Sequence, residues 1–230
     1  MQTTLEAPKT LTTQLAALKA GFKQRAAPER VALMEASTAL LKASGIEQRA
    51  LGVGDLAPDV SLPNAVGKAV RLQDLWQRGP LVLIFYRGGW CPYCNLELRA
   101  WQQQLSSLEA QGASLVAVSP QTPDNSLTTA EKNTLAYPVL SDSFLAAAEA
   151  FGIAFTLHPE LVDLYTTFGN DLPELNGNGK WVLPLPATYV IDREGRIVFA
   201  HIDADYRERA EPADVLSALS KRRDISAKHR

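Results

Sequence analysis

The run LVLIFYRGGWCPYC, Leu81 to Cys94, constrains this chain more than any other stretch. Its first six residues are apolar without interruption, as expected of a strand covered on both faces. Arg87, Gly88 and Gly89 then turn the chain, and Pro92 suits the first turn of a helix, where its missing N–H costs nothing. Cys91 therefore falls at a helix N-terminus, beside unpaired amides and the positive end of the helix dipole. Both favour a thiolate over a thiol. Cys94 lies one turn along on the same side, at a Cα spacing of about 5–6 Å that suits a disulfide. These are the two cysteines of a 230-residue chain.

Such a pair has three uses: a structural disulfide, half of a zinc site, or a dithiol that opens and closes during turnover. The start of the chain lacks the basic and then apolar regions of a signal peptide, and no apolar run reaches the length of a membrane span. The expected compartment is therefore cytoplasmic and reducing, which disfavours a permanent disulfide. A structural zinc site needs four ligands, and His158, His201 and His229 are dispersed without ligand spacing. The sequence implies no metal and no other cofactor, and no glycine cluster precedes a helix as a phosphate cradle would. With a net charge of −2 there is no basic field for nucleic acid or an anionic membrane. Reversible thiol chemistry remains.

Around this motif the chain reads as residues 1–51, a helical extension, followed by residues 52–230, an α/β domain. In the extension, Leu11, Leu15, Leu18 and Phe22 form one apolar stripe, and Pro28 and Gly45 bound a second helix whose inner face holds Val31, Met34 and Leu41. These helices either cap the main domain or meet a second copy in a homodimer, since periodicity does not say what a face covers. Beyond Gly52 come a short hairpin, the Leu81 strand, the cysteine helix to about Gly112, and a second buried strand at SLVAVSP. Further helical and extended pieces lead to an irregular segment from Phe155 to Trp181. ATYVIDREGRIVFAHI then reads as strand, turn and strand, and a last helix begins at Pro212. This order describes a mixed central sheet flanked by helices.

FYRGGWCPYC and PATYVIDREG, in this order of elements, resemble the thioredoxin-like superfamily and its peroxiredoxin-like branch, the alkyl hydroperoxide reductase and thiol-specific antioxidant group. The resemblance covers roughly residues 52–220 and implies a thioredoxin-like α/β fold. Peroxiredoxins of this kind carry a proline, a threonine and a peroxidatic cysteine after the strand. Those positions are Arg87, Cys91 and Cys94 here, and the partner arginine corresponds to Pro186. Arg87 is the candidate replacement guanidinium, its alternative being an ordinary solvated side chain. Trp90 before the dithiol, and the CPYC pattern of glutaredoxins, fit the thioredoxin side of the superfamily. There Pro186 corresponds to a cis-proline facing the dithiol, and Phe85 replaces a buried acid.

The resemblance implies an antioxidant thiol peroxidase that reduces hydroperoxides through a CxxC dithiol/disulfide cycle. A thiol reductant such as thioredoxin, glutaredoxin or glutathione would recycle it. Two alternatives stand beside it: a thiol-disulfide oxidoreductase acting on protein or glutathione disulfides, and a non-enzymatic redox sensor. The peroxiredoxin overlay makes Cys94 peroxidatic and Cys91 resolving, whereas position at the helix end reverses the roles; both stay open. Other candidates for the substrate site are Pro92 and Tyr93 between the thiols and Gln121 after the second buried strand. The charged run HIDADYRERAEP, His201 to Pro212, which holds Asp203, Asp205, Tyr206, Arg207 and Arg209, reads as a solvated loop with local ion pairs or, as its alternative, as a loop that reaches over the active site.

Overall fold

A computed structural model describes residues 10–228, so His229 lies outside the described residues. The chain opens with α1 (Leu11–Arg25), started by Thr10, whose side chain accepts from the Thr13 N–H. Next come α2 (Pro28–Ala43), with proline in its first turn, and α3 (Ile46–Arg49), separated by Gly45 in the left-handed region at φ 73°. The hairpin β1 (Ser61–Pro63) and β2 (Ala69–Arg71) leads into α4 (Leu72–Trp76) and β3 (Leu81–Phe85). The cysteine helix α5 (Pro92–Glu109), β4 (Ser114–Ser119), α6 (Pro123–Asn133), β5 (Val139–Ser141) and α7 (Ala146–Ala150) follow. Then come β6 (Ala154–Thr156), α8 (Pro159–Thr167), α9 (Leu172–Asn176) and β7 (Val182–Pro184). The chain closes with β8 (Ala187–Ile191), β9 (Ile197–Ile202) and α10 (Pro212–Lys228).

The main sheet has the order β5-β4-β3-β8-β9, parallel from β5 to β3 and antiparallel from β3 through β8 to β9. β3 is its middle strand and is buried along its whole length, as its unbroken apolar run requires. Because side chains alternate across a strand, Val82 and Ile84 face one layer and Leu81, Leu83 and Phe85 the other. The first layer holds Leu98, Trp101 and Leu108 of α5 with Leu11 and Leu15 of α1 and Val215 and Leu219 of α10. The second holds Leu72, Leu140, Phe151 and Tyr189. Full burial of one such aliphatic side chain contributes about 2 kcal/mol, and this packing fixes the end of β3 from which the dithiol loop departs. The α1 stripe thus covers this chain's own α5. No helix among the described residues is long and apolar enough to cross a membrane.

Two sequence expectations are corrected here. The segment from Phe155 to Trp181 is not irregular: it contains α8 and α9 and is bracketed by the antiparallel pair β6 and β7. Pro159 opens α8 in its first turn, Leu164 and Tyr165 are its buried side chains, and Gly169 follows its end. These start and stop signals were hidden by the polar, glycine-rich stretch that comes after them. Pro186 is also not cis, since every peptide bond among the described residues is trans. The Leu185 N–H donates to the Ile153 carbonyl, prolonging the β6–β7 pairing, and the chain enters β8 directly. No tight turn is needed there, so the ordinary preference of the peptide prevails.

Candidate active site

The loop between β3 and α5 is held from several sides. Gly88 has φ 149°, and a Cβ there would lie 2.3 Å from Trp90 Nε1. The Gly89 N–H donates to Gln121 Oε1 at 2.7 Å, and Asn95 Nδ2 donates to the Gly89 carbonyl at 2.8 Å. Asn133 of α6 in turn donates to Asn95 Oδ1. A Cβ on Gly89 would lie 2.2 Å from Thr129 Oγ1, so the loop rests directly on α6. Gln121 is thereby buried beneath the loop as a fastening, and it does not line the cleft that the sequence suggested for it.

Cys91 is the N-cap of α5 and Cys94 lies in its first turn, as the sequence implies, and both are free thiols. Neither is openly exposed, at 1% and 0% relative accessibility, but they differ in what they face. Cys91 lines a cavity of about 310 Å³ together with Phe22, Met34, Trp90, Tyr165 and Phe168, whereas Cys94 lies behind it in the core. Burial works against charge on Cys91. The Cys94 thiol donating to it, with the guanidinium groups of Arg87 and Arg209, nevertheless brings Cys91 down to about 6. Cys94 is pushed well above the ordinary thiol range by burial and by its bond and proximity to Cys91. Charge is therefore favoured on Cys91, which faces the cavity, and disfavoured on Cys94 behind it.

Arg87 is not the solvated side chain that was one reading of it. It is 3% exposed, and its guanidinium lies 4.2 Å from the Tyr206 ring centroid, 4.9 Å from Trp90 and 5.5 Å from Tyr165. It donates to the Tyr165 hydroxyl, its Nε has no partner, and no carboxylate among the described residues pairs with it. A buried cation without a counter-ion is costly, so its charge is available to the Cys91 thiolate and to whatever enters the cavity. Tyr93 is buried edge-on against Tyr206 at 5.6 Å. Pro92 and Trp90 line the same cavity, while Pro186 lines a neighbouring one of about 200 Å³ that shares Arg87, Tyr165 and Tyr206.

The charged run after β9 combines both of its readings. Asp205 and Arg207 form a local pair at 2.5 Å, as expected of a loop, but Arg209 is buried and bonded at 2.6 Å to Glu97 Oε2 on α5. Its Nη2 donates to Cys94 Sγ at 3.5 Å. Sequence reading missed Glu97 and Tyr165, and held Arg209 only as one member of the charged run. The signal for Glu97 was present, because an acid three residues after Cys94 shares its helix face. Tyr165 arrives from a distant element and carried no local signal.

The thiolate assignment has a direct consequence for alkylation. Iodoacetamide should label Cys91 first, with a rate that rises through a midpoint near pH 6 and levels by pH 8. A free cysteine titrates at about 8.5. Peptide mass mapping across pH checks this; first labelling at Cys94, or a midpoint above pH 8, would contradict it.

Comparison with known proteins gives the fold and the family. Among curated proteins, Peroxiredoxin Bcp of Escherichia coli (strain K12) is 32% identical over 104 residues, covering 45% of this chain and 65% of that protein. The chain thus spans slightly less than two thirds of that relative. The thiol-disulfide oxidoreductase ResA of Geobacillus thermodenitrificans (strain NG80-2) is 26% identical over 152 residues, covering 66% of this chain and 70% of that protein. In fold, the chain is similar to the crystal structure of Peroxidoxin BcpB from Mycobacterium tuberculosis, with a TM-score of 0.59, 24% identity, and coverage of 74% of this chain and 97% of that one. Peroxiredoxin Q of Xanthomonas campestris gives a TM-score of 0.55 at 21% identity, covering 74% of this chain and 97% of that one. Residues 53–200, from just before the first hairpin through most of β9, match the AhpC/TSA family, and the chain belongs to that family of thioredoxin-like fold.

Proposed function

We propose that this chain is a thiol-dependent peroxidase in which Cys91 attacks and Cys94 resolves. The observation that carries the reading is a thiolate-favoured Cys91 facing an open cavity, with an uncompensated Arg87 guanidinium beside it and a second thiol bonded behind. The Cys91 thiolate attacks the distal peroxide oxygen, the O–O bond breaks, and the leaving alkoxide takes a proton to become an alcohol. Cys91 is left as a sulfenic acid, and Cys94 condenses with it to a disulfide, releasing water. A thiol reductant of the thioredoxin, glutaredoxin or glutathione class then restores the dithiol. Arg87 replaces the missing family arginine by stabilising the oxygen that becomes negative as the O–O bond breaks. This assignment reverses the roles that the family overlay gives the two cysteines.

The cavity also speaks to substrate size. Phe22 of α1, Met34 of α2 and Phe168 beyond α8 make its wall apolar, which suits an organic hydroperoxide with an apolar body. Rapid mixing of the reduced protein with cumene hydroperoxide and with hydrogen peroxide, followed by tryptophan fluorescence, tests both points. Both reactions should outpace a free thiol, and the organic peroxide should lead by about tenfold, the lower end of what an apolar pocket discriminates. Rates no greater than those of a free thiol would end the peroxidase reading. The likeness to ResA and the replaced family residues favour a second reading, exchange with disulfides at Cys91, which the same reduced protein tests against glutathione disulfide.

A further inference from the structure

Cys94 must lose a proton before it can close the disulfide, yet it is sealed from solvent. Phe85 occupies the strand position where the resemblance would place a buried acid. An acid is present on another element. Glu97 lies three residues after Cys94 on the same face of α5 and is itself fully buried. Arg209 joins the two: its Nε donates to Glu97 Oε2 at 2.6 Å and its Nη2 to Cys94 Sγ at 3.5 Å, while its Nη1 is held by the backbone carbonyls of Tyr206 and Glu208. One fixed guanidinium therefore faces two acids, a thiol and a carboxyl, in a buried site.

Such a site holds a single negative charge opposite the arginine far more readily than two. When charge moves to Cys94, the carboxylate is driven to take up a proton; when the sulfur is neutral, the carboxylate carries the charge. We propose that Glu97 is the proton acceptor for Cys94 during disulfide closure, with Arg209 as the counter-ion that the two share. As the Cys94 S–H bond breaks, its proton passes to the Glu97 carboxylate and its electron pair forms the bond to the Cys91 sulfur. The bond from Cys91 to its leaving group breaks, and that group departs with the electrons. In the peroxide cycle the leaving group is hydroxide, which takes a proton and leaves as water. The inference deepens the dithiol reading above but concerns only the closing step.

The surroundings fit this role. Facing Glu97 are Cys94 from its own helix, Arg209 from the segment before α10, the Thr188 hydroxyl of β8 at 3.4 Å, and Tyr137 from the segment before β5. Facing Cys94 are Cys91, Arg87, Arg209 and Tyr86. Burial raises Glu97 to about 7 against the pull of Arg209, which poises it to exchange a proton at neutral pH.

An aromatic disulfide, dithiobis(nitrobenzoate), isolates the step without peroxide. Attack by Cys91 releases one coloured nitrothiobenzoate, and displacement by Cys94 releases the second, so stopped-flow absorbance reads two phases. In the wild type the second phase should rise with pH through about 7 and then level. Glu97→Gln should slow that phase by about 100-fold at pH 8, the lower range of general-base effects, and leave the first within threefold. Its profile should climb without levelling, because the Cys94 thiol alone titrates well above the ordinary range. A variant profile that still levels near pH 7, a second phase within threefold of wild type, or equal slowing of both phases would overturn the proposal. A wild-type profile with no levelling would overturn it too, and that measurement does not depend on the variant folding. Failure with peroxides while both coloured phases remain intact would sink the peroxidase reading and leave this one standing.

Discussion

Cys91→Ser should lower the rate of peroxide consumption by at least about 10³-fold, the scale on which loss of a nucleophile is felt. A serine hydroxyl at the N-cap of α5 would keep the backbone and the helix start but could not ionise near neutral pH, as Cys91 does at about 6. Cys94→Ser should behave differently. First-turnover oxidation should stay within about threefold of wild type, the sulfenic acid should be trapped on Cys91 by dimedone, and turnover with a dithiol reductant should collapse. Without a resolving thiol the sulfenic acid is open to further oxidation. Mass spectrometry of the trapped adduct reads the outcome. Trapping on Cys94 in the Cys91→Ser variant, with fast first-turnover oxidation retained, would restore the roles of the family overlay.

Arg87→Met should cost about 10²-fold in the second-order rate with peroxide, the usual effect of removing one group that stabilises a developing oxyanion. The same change should move the alkylation midpoint of Cys91 upward from pH 6, since Arg87 is one of the charges holding it down. Folding stability should move little, or rise. The guanidinium is buried among Trp90, Tyr165 and Tyr206 without a carboxylate, and methionine fills similar space with no charge to desolvate. Thermal unfolding beside stopped-flow kinetics checks both parts. A variant that loses stability while keeping its rate would show that Arg87 is a packing residue.

The scaffold of the site was largely legible in local sequence. LVLIFY reads as a strand covered on both faces, and Pro92, three residues after Gly89, suits the first turn of a helix, which puts Cys91 at its N-cap. The segment from Phe155 to Trp181 was misread because its two helices are short and its glycines stand out more than its caps. The charged run after β9 left two readings open, and each holds for part of it. Asp205 and Arg207 do make the local ion pair that such a run suggests, but Arg209, two residues on, turns inward to a partner 112 residues away.

By itself, the sequence determined the strand, the turn and the helix mouth that carry the two sulfurs, because caps, periodicity and proline geometry act within a few residues. Only the tertiary structure weighs the two sulfurs against each other, and it favours charge on Cys91. That choice follows from burial and from charges delivered by other elements: Arg87 caged with Tyr165 and Tyr206, and Arg209 shared with Glu97. Electrostatic energy depends on distance in space and on exclusion of water, and spacing along the chain specifies neither.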